Sequence, residues 1–225
     1  MAETKQDQDF NITETLSKTE HFVNQNKKSL SIIVGAVVVA VGGYLFYQNS
    51  YVAGKEKEAS AAMFPAEEYF RNDSLKQAVS GDGNHPGFEE IISDYSVSPS
   101  ANLAHFYLGI AYLRQKNYDQ AIETLKGYNP HDDITPSLAM GAIGDAYMEK
   151  KEVDEAISYY EKATKEKPNN FTTPLMMMKL AVALESKGSY KEAKDIYENL
   201  KKNYPSSQEA QQADKYIGRA EGMIQ

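Results

Sequence analysis

The chain has 225 residues, of which 41% are hydrophobic and 25% are charged, a composition that is ordinary for a globular protein. It contains no cysteine, which excludes disulfides, thiolate metal sites, a cysteine nucleophile and a lipid-modified N-terminal cysteine. The formal net charge of −8, without any cluster of lysine and arginine, argues against nucleic acid as a partner.

The first 28 residues are polar and show no sustained apolar period. We predict that residues 1–28 form a short tail that is partly disordered, with a short helix near 12–23. Lys27 and Lys28 end this tail, directly before an uncharged stretch.

That stretch, SLSIIVGAVVVAVGGYLFY, covers residues 29–47. As an α-helix it would extend about 28 Å, close to the roughly 30 Å hydrocarbon core of a membrane. Two lysines precede it, and Tyr44, Tyr47 and Tyr51 mark the far interface. The pattern predicts a transmembrane helix over 29–47, with a buried helix of a soluble protein as the alternative.

The features of a cleaved signal peptide are weak. The preceding region is long and contains acidic residues, the apolar run is longer than usual, and YQNSYVAGKE offers no small-x-small cleavage site. We therefore predict an uncleaved anchor. Because the nearest lysine pair precedes the span, the N-terminus is predicted to be cytoplasmic and the larger domain periplasmic in a bacterium.

Small residues share one face of the predicted span, namely Ser31, Gly35 and Gly42. Small side chains let a second helix approach closely, so this face is a candidate for packing against a partner in the membrane. The alternative is that glycine and alanine are simply common in membrane helices.

Residues 48–100 are predicted to hold a juxtamembrane helix, a loop and a degenerate leading repeat. Pro65 is a potential kink in the first helix, and Ser100 is predicted as the N-cap of the next regular helix. The predicted elements are a helix over 52–70, a Gly- and Asn-rich loop over 80–87 and a short helix over 88–95.

Three later stretches align with one another, at spacings of 35 and 37 residues: LGIAYLRQKNYDQAIETL (108–125), IGDAYMEKKEVDEAISYY (143–160) and LAVALESKGSYKEAKDIY (180–197). Each carries one small residue early and one late. Two antiparallel helices pack closely only where one of them offers a small residue, so the pattern predicts a repeated helical hairpin. The aligned small residues are Gly109, Gly144 and Ala181, and then Ala121, Ala156 and Ala193.

This pattern resembles the tetratricopeptide repeat (TPR), whose usual period is 34 residues. The second copy matches best, and the first ends irregularly in GYNPHDDITP. We predict an all-α fold: a TPR-like helical-hairpin solenoid with one N-terminal transmembrane helix. Three repeats are expected within 101–205, at about 101–134, 136–170 and 173–205, followed by a capping helix over 206–225.

The sequence shows no sign of catalysis, of a cofactor or of a metal site. The four histidines lack metal-ligand spacing, and the loop SGDGNHPG lacks the Lys-Ser/Thr pair of a phosphate loop. We predict that the chain is not an enzyme and binds no cofactor, metal or nucleic acid.

In the TPR family the first helices of the repeats line a concave groove that binds protein or peptide ligands. The resemblance places these groove positions at Phe106, Ile110, Leu113, Arg114, Leu138, Asp145, Met148, Glu149, Leu175, Met178, Val182 and Glu185. The lysines and asparagines that grip peptide carboxylates in some TPR proteins are absent here. An apolar, methionine-containing set suits a helix or an extended chain. The alternative is that the capping helix or residues 52–70 cover part of it.

Two segments, GGYLFYQNSY (42–51) and GFEEIISDYSVSPSANLAHFYLGIAYLRQKNYDQAI (87–122), are similar to the equivalent segments of the bacterial YfgM family. That resemblance implies an inner-membrane protein that is an accessory subunit of the Sec translocon. Its partners would be the Sec channel and a PpiD-like periplasmic chaperone, or emerging secreted chains. The alternative is a cell-envelope scaffold for cell division or outer-membrane assembly that is not attached to Sec.

Overall fold

The computed structural model describes residues 20–224, and every regular element in that range is helical. The short helix predicted near 12–23 and the rest of the predicted tail lie mostly outside the described residues. The described chain divides at Ala53 into two units.

The first unit contains the apolar segment. Residues 20–25 are helical, helix α1 spans Lys27–Phe46, and a π-helical stretch covers Tyr47–Val52. One helical stretch near the N-terminus, which contains α1, is the only one in residues 20–224 that is long and apolar enough to cross a membrane. No residue of α1 is buried.

The second unit consists of short connected helices. They are α2 (Ala53–Arg71), α3 (Leu75–Ser80), α4 (Phe88–Asp94), α5 (Pro99–Arg114), α6 (Tyr118–Gly127), α7 (Thr135–Glu149), α8 (Val153–Lys165), α9 (Thr172–Lys187), α10 (Tyr190–Asn203) and α11 (Gln208–Met223). The pairs α5–α6, α7–α8 and α9–α10 pack as hairpins, and α7 lies between α5 and α9. The predicted all-α solenoid of helical hairpins is confirmed.

Each hairpin turns through one residue in the left-handed backbone region. These residues are Lys116 (φ 65°), Lys151 (φ 63°) and Gly188 (φ 85°), at equivalent positions of the three copies. Glycine takes up this conformation at the least cost, and only the third copy uses it. The second helix of the hairpin begins two residues later in all three copies.

The small residues of the first helices lie hard against the second helices. A Cβ atom on Gly109 would lie 2.4 Å from Cγ of Leu125, and one on Gly144 would lie 2.6 Å from a ring carbon of Tyr160. Ala181 is buried in the same cluster as Tyr197. The prediction that small residues let each hairpin close is confirmed.

Helix α11 continues the register of the first helices of the three repeats. Gly218 and Ala220 stand 37 residues after Ala181 and Ala183, and Ala220 is fully buried like Ala183. A Cβ atom on Gly218 would meet nothing within 4 Å, since no second helix covers it in the described part of the chain. The exposed face of α11 is polar, as expected of a helix that caps a solenoid.

Ser98, and not Ser100, caps α5. Its hydroxyl accepts a hydrogen bond from the backbone N–H of Ala101 at 3.0 Å. The prediction was wrong because Pro99 is itself the first helical residue, a position that suits proline's fixed backbone. Ser100 donates instead to the carboxylate of Glu56, from its backbone N–H at 2.9 Å and its hydroxyl at 2.7 Å. The carboxylate of Glu56 therefore links α2 to the N-terminus of α5, where the helix dipole is positive.

Burial of His105 predicts that the stability of the first hairpin depends on pH. Burial lowers the pKa of its imidazole, and its Nδ1 atom has no hydrogen-bond partner among residues 20–224. In the unfolded chain the pKa of a histidine is about 6.5. Below that pH the folded chain therefore binds fewer protons than the unfolded chain, and its free energy of unfolding falls as the pH drops.

We expect urea unfolding of the full-length protein in mild detergent to show stability decreasing from about pH 7 to about pH 5. The variant His105→Gln should lose part of that slope, because glutamine does not titrate. An identical slope in both proteins would show that His105 does not carry the effect.

A candidate protein-binding groove

The first helices of the hairpins and the end of α2 line an open cleft of about 340 Å³. We call it the apolar cleft. It is lined by Phe70, Phe106, Tyr107, Ile110, Leu113, Leu138, Gly141, Ala142, Asp145, Leu175, Met176 and Lys179. Six of these, from three successive repeats, were among the predicted groove residues: Phe106, Ile110, Leu113, Leu138, Asp145 and Leu175.

An aromatic cluster forms one wall of the apolar cleft. The ring of Tyr107 stacks on the buried ring of Phe88 at 5.5 Å and meets Phe70 edge-on at 5.3 Å. Phe106 contacts Tyr107 at 6.0 Å and Tyr128 at 5.6 Å. Because each ring is held by its neighbours, this wall is pre-organised to receive apolar side chains.

Two small residues line the middle of the apolar cleft. Gly141 and Ala142 lie on α7, which packs between α5 and α9. A Cβ atom on Gly141 would clash with Sδ of Met176, a buried side chain of α9. Glycine at this position therefore lets α7 pack closely against α9.

Asp145 is the polar centre of the groove. Its carboxylate accepts hydrogen bonds from Nζ of Lys179, at 2.6 Å to each oxygen, and from the hydroxyl of Tyr160 at 2.7 Å. The side chains of Asp145 and Lys179 are 33% and 30% exposed. Burial and the neighbouring carboxylate both raise the pKa of Tyr160, so its hydroxyl remains a donor.

Leu113 and Asp145 also line a second cleft, which we call the polar cleft. Here the hydroxyl of Tyr118 donates to Glu149 at 3.1 Å. The guanidinium of Arg114 lies 5.0 Å from the ring centre of Phe70 and donates to Asp73. Three more predicted groove residues, Arg114, Met148 and Glu149, are found in this cleft.

The remaining predicted groove residues, Met178, Val182 and Glu185, line neither of these two clefts. Met178 packs against the core, and Glu185 accepts hydrogen bonds from Arg219 of α11. Val182 is 40% exposed. Helix α11 thus engages the third repeat, while the two clefts lie over the first and second repeats and the start of the third.

The predicted packing face on α1 is exposed. A Cβ atom on Gly35 or Gly42 would meet nothing within 4 Å. The hydroxyl of Ser31 donates to the carbonyl of Lys27 at 2.8 Å, within the helix. The role of this face in packing against a partner helix stays a prediction.

No group of three or more histidine, aspartate or glutamate side chains in residues 20–224 lies close enough to hold a metal ion. Polar side chains of the loops accept hydrogen bonds from the first N–H groups of two helices. Asp132 accepts from the backbone N–H of Thr135 at 2.7 Å, and Asn169, 37 residues later, accepts from that of Thr172 at 2.8 Å. The irregular segment GYNPHDDITP therefore starts α7 with the same kind of hydrogen bond that starts α9 in the next copy.

Tyr160 and Tyr197 occupy equivalent positions, but their hydroxyls differ. Tyr160 donates to Asp145, whereas the third repeat has Val182 at the position of Asp145. The buried hydroxyl of Tyr197 has no hydrogen-bond partner within the described chain. Burial, with the nearby charge of Glu185, raises its pKa to about 12.

We expect Tyr160→Phe to lower the free energy of unfolding by about 1–2 kcal/mol, because Asp145 loses a donor. The matched variant Tyr197→Phe should leave stability unchanged or raise it, since it removes an unpaired buried hydroxyl. Urea unfolding of both variants measures the difference, and equal losses would contradict the contrast.

Comparison with known proteins agrees with this geometry. Tetratricopeptide repeat models match residues 88–133, 138–170 and 176–207. The TPR-like repeats of a Podosopora anserina protein described as a kinesin light chain have a TM-score of 0.58 and 16% identity, covering 74% of this chain and 86% of that chain. A variant of that protein gives the same values. No curated protein sequence matches the chain. Residues 88–207 are therefore a tetratricopeptide-repeat solenoid, a fold that typically serves as a non-catalytic scaffold for protein–protein interaction.

Proposed function

We propose that the chain is a membrane-anchored TPR scaffold that serves as an accessory subunit of the bacterial Sec translocon. One observation carries the proposal: a single chain joins a helix apolar enough to span a membrane to an interaction solenoid with an open apolar cleft. The similarity of residues 42–51 and 87–122 to the YfgM family supports the assignment to Sec.

In this proposal α1 crosses the inner membrane with its N-terminus in the cytoplasm and the solenoid in the periplasm. The lysines that precede α1, Lys27 and Lys28, support that orientation. The face of Ser31, Gly35 and Gly42 docks on the channel, because small residues allow close approach of helices in a membrane. The solenoid holds a PpiD-like chaperone or receives emerging chains, and it performs no catalysis.

The test is recovery of partners from membranes extracted in mild detergent. The tagged full-length protein is pulled down beside a double variant, Gly35→Leu with Gly42→Leu. The control, Val37→Leu with Ala40→Leu, enlarges the opposite face of the same helix. We expect Sec channel subunits and a membrane-anchored chaperone with the wild type and the control, and less channel with the glycine variant.

Recovery of cell-division or outer-membrane assembly proteins without channel subunits would overturn the Sec assignment in favour of a different envelope scaffold. Equal recovery of the channel with all three proteins would leave the Sec assignment standing and reject the glycine face as its docking surface.

A further inference from the structure

The apolar cleft offers almost no hydrogen-bonding group to a ligand. Its polar lining side chains are Tyr107, Asp145 and Lys179, and no asparagine, glutamine, serine or threonine lines it. Asp145 and Lys179 are bound to each other, and Asp145 also accepts from Tyr160. These bonds leave little hydrogen-bonding capacity among the lining side chains beyond the hydroxyl of Tyr107.

This shortage bears on the conformation of the ligand. An extended chain presents one N–H and one C=O group per residue, and each such group costs free energy when it is buried without a partner. An α-helix pairs these groups internally and presents only side chains to the surface. The cleft is therefore matched to a helix and poorly matched to an extended segment.

The charges in the cleft bear on the side chains of the ligand. Its one acid and one base, Asp145 and Lys179, neutralise each other at 2.6 Å. A charged ligand group entering the cleft would lose hydration without gaining a free partner. The aromatic wall and the partly exposed leucines Leu113, Leu138 and Leu175 suit leucine-like or aromatic side chains instead.

We propose that the apolar cleft binds an amphipathic helix of another protein, whose inserted face carries no charge. This inference rests on the proposed scaffold function and names the class of partner. It separates a folded, helix-bearing partner such as a chaperone from an emerging chain that is still extended. The helix would insert apolar residues at i, i+3, i+4 and i+7 between α5 and α9.

The test uses two synthetic probes of about 18 residues, which is about five turns of an α-helix. The helical probe carries leucines along one face and alanine, glutamine and lysine elsewhere. The control probe has prolines at two central positions and is otherwise the same, so it cannot form the helix. Binding to the full-length protein in lipid nanodiscs is measured by fluorescence anisotropy, with empty nanodiscs subtracted.

Two protein variants locate the binding. Leu138→Glu places a charge in the apolar cleft, whereas Val182→Glu places the same charge on the equivalent first helix of the next repeat, outside both clefts. We expect the helical probe to bind wild type and Val182→Glu alike, and Leu138→Glu at least about tenfold more weakly. A helical probe with one central leucine changed to lysine should recover affinity for Leu138→Glu, which shows that the variant is folded.

Stronger binding of the proline probe would overturn the helix inference. Binding of neither probe, or equal weakening by both glutamates, would overturn it as well. None of these results bears on whether Sec subunits co-purify with the protein, so failure of this inference and failure of the proposed function are distinguishable.

Discussion

Replacing Gly144 with valine is expected to lower the free energy of unfolding by about 3 kcal/mol. A Cβ atom at this position would lie 2.6, 2.8 and 3.0 Å from three ring carbons of Tyr160. That ring is buried and its hydroxyl is tied to Asp145, so it has little freedom to move. Overpacking of this kind typically costs about 1–3 kcal/mol, and the two methyl groups of valine add to it.

Gly218→Val is the matched control, because Gly218 holds the equivalent position in α11 and has no atom within 4 Å of a built Cβ. Valine is a better helix former than glycine, so this change should raise stability by a few tenths of a kcal/mol. Urea unfolding of the full-length protein in mild detergent, followed by circular dichroism, measures both variants. Similar losses at both positions would show that hairpin closure does not depend on the small residue.

Replacing Asp145 with alanine is expected to cost about 2–3 kcal/mol of stability. The change leaves the ammonium of Lys179 and the hydroxyl of Tyr160 without their acceptor. Both groups are at least partly buried, and an unsatisfied buried donor costs about 1–3 kcal/mol, with more for a charged one. Partial exposure of the ion pair keeps the expected loss below that of a fully buried pair.

Two further variants separate this cause from a general effect of removing an acid. Glu149→Ala removes an exposed acid from the same helix and should change stability by less than about 0.5 kcal/mol. The double variant Asp145→Ala with Lys179→Met should recover part of the loss, because no unpaired cation remains. A double variant that loses as much stability as Asp145→Ala alone, or more, would contradict this coupling of Asp145 to Lys179.

The hairpin architecture could be predicted from the sequence because close packing constrains residue size. Only a small residue fits where Gly109 meets Leu125 and where Gly144 meets Tyr160, so small residues recur in the sequence at spacings of 35 and 37 residues. The same register places the groove positions on the first helices, and most of those residues lie in one of the two clefts.

The bonding partners of the groove residues could not be predicted in the same way. Asp145 and Lys179 belong to different repeats, and nothing in the spacing shows that they pair. Glu185 occupies a groove position by register, but Arg219 of the capping helix binds it. The register of α11 itself is hard to see, because a terminal helix keeps the small buried residues of the repeat and replaces the large ones by polar residues.

Quantitative recovery of partners through the apolar cleft tests the central claim most directly. The full-length wild type, Leu138→Glu and Val182→Glu are extracted from membranes in mild detergent, and co-purifying chains are quantified by mass spectrometry. We expect the same partner with wild type and Val182→Glu, and at least about tenfold less of it with Leu138→Glu. Equal recovery with all three proteins would contradict the claim that this scaffold holds its partner in the apolar cleft.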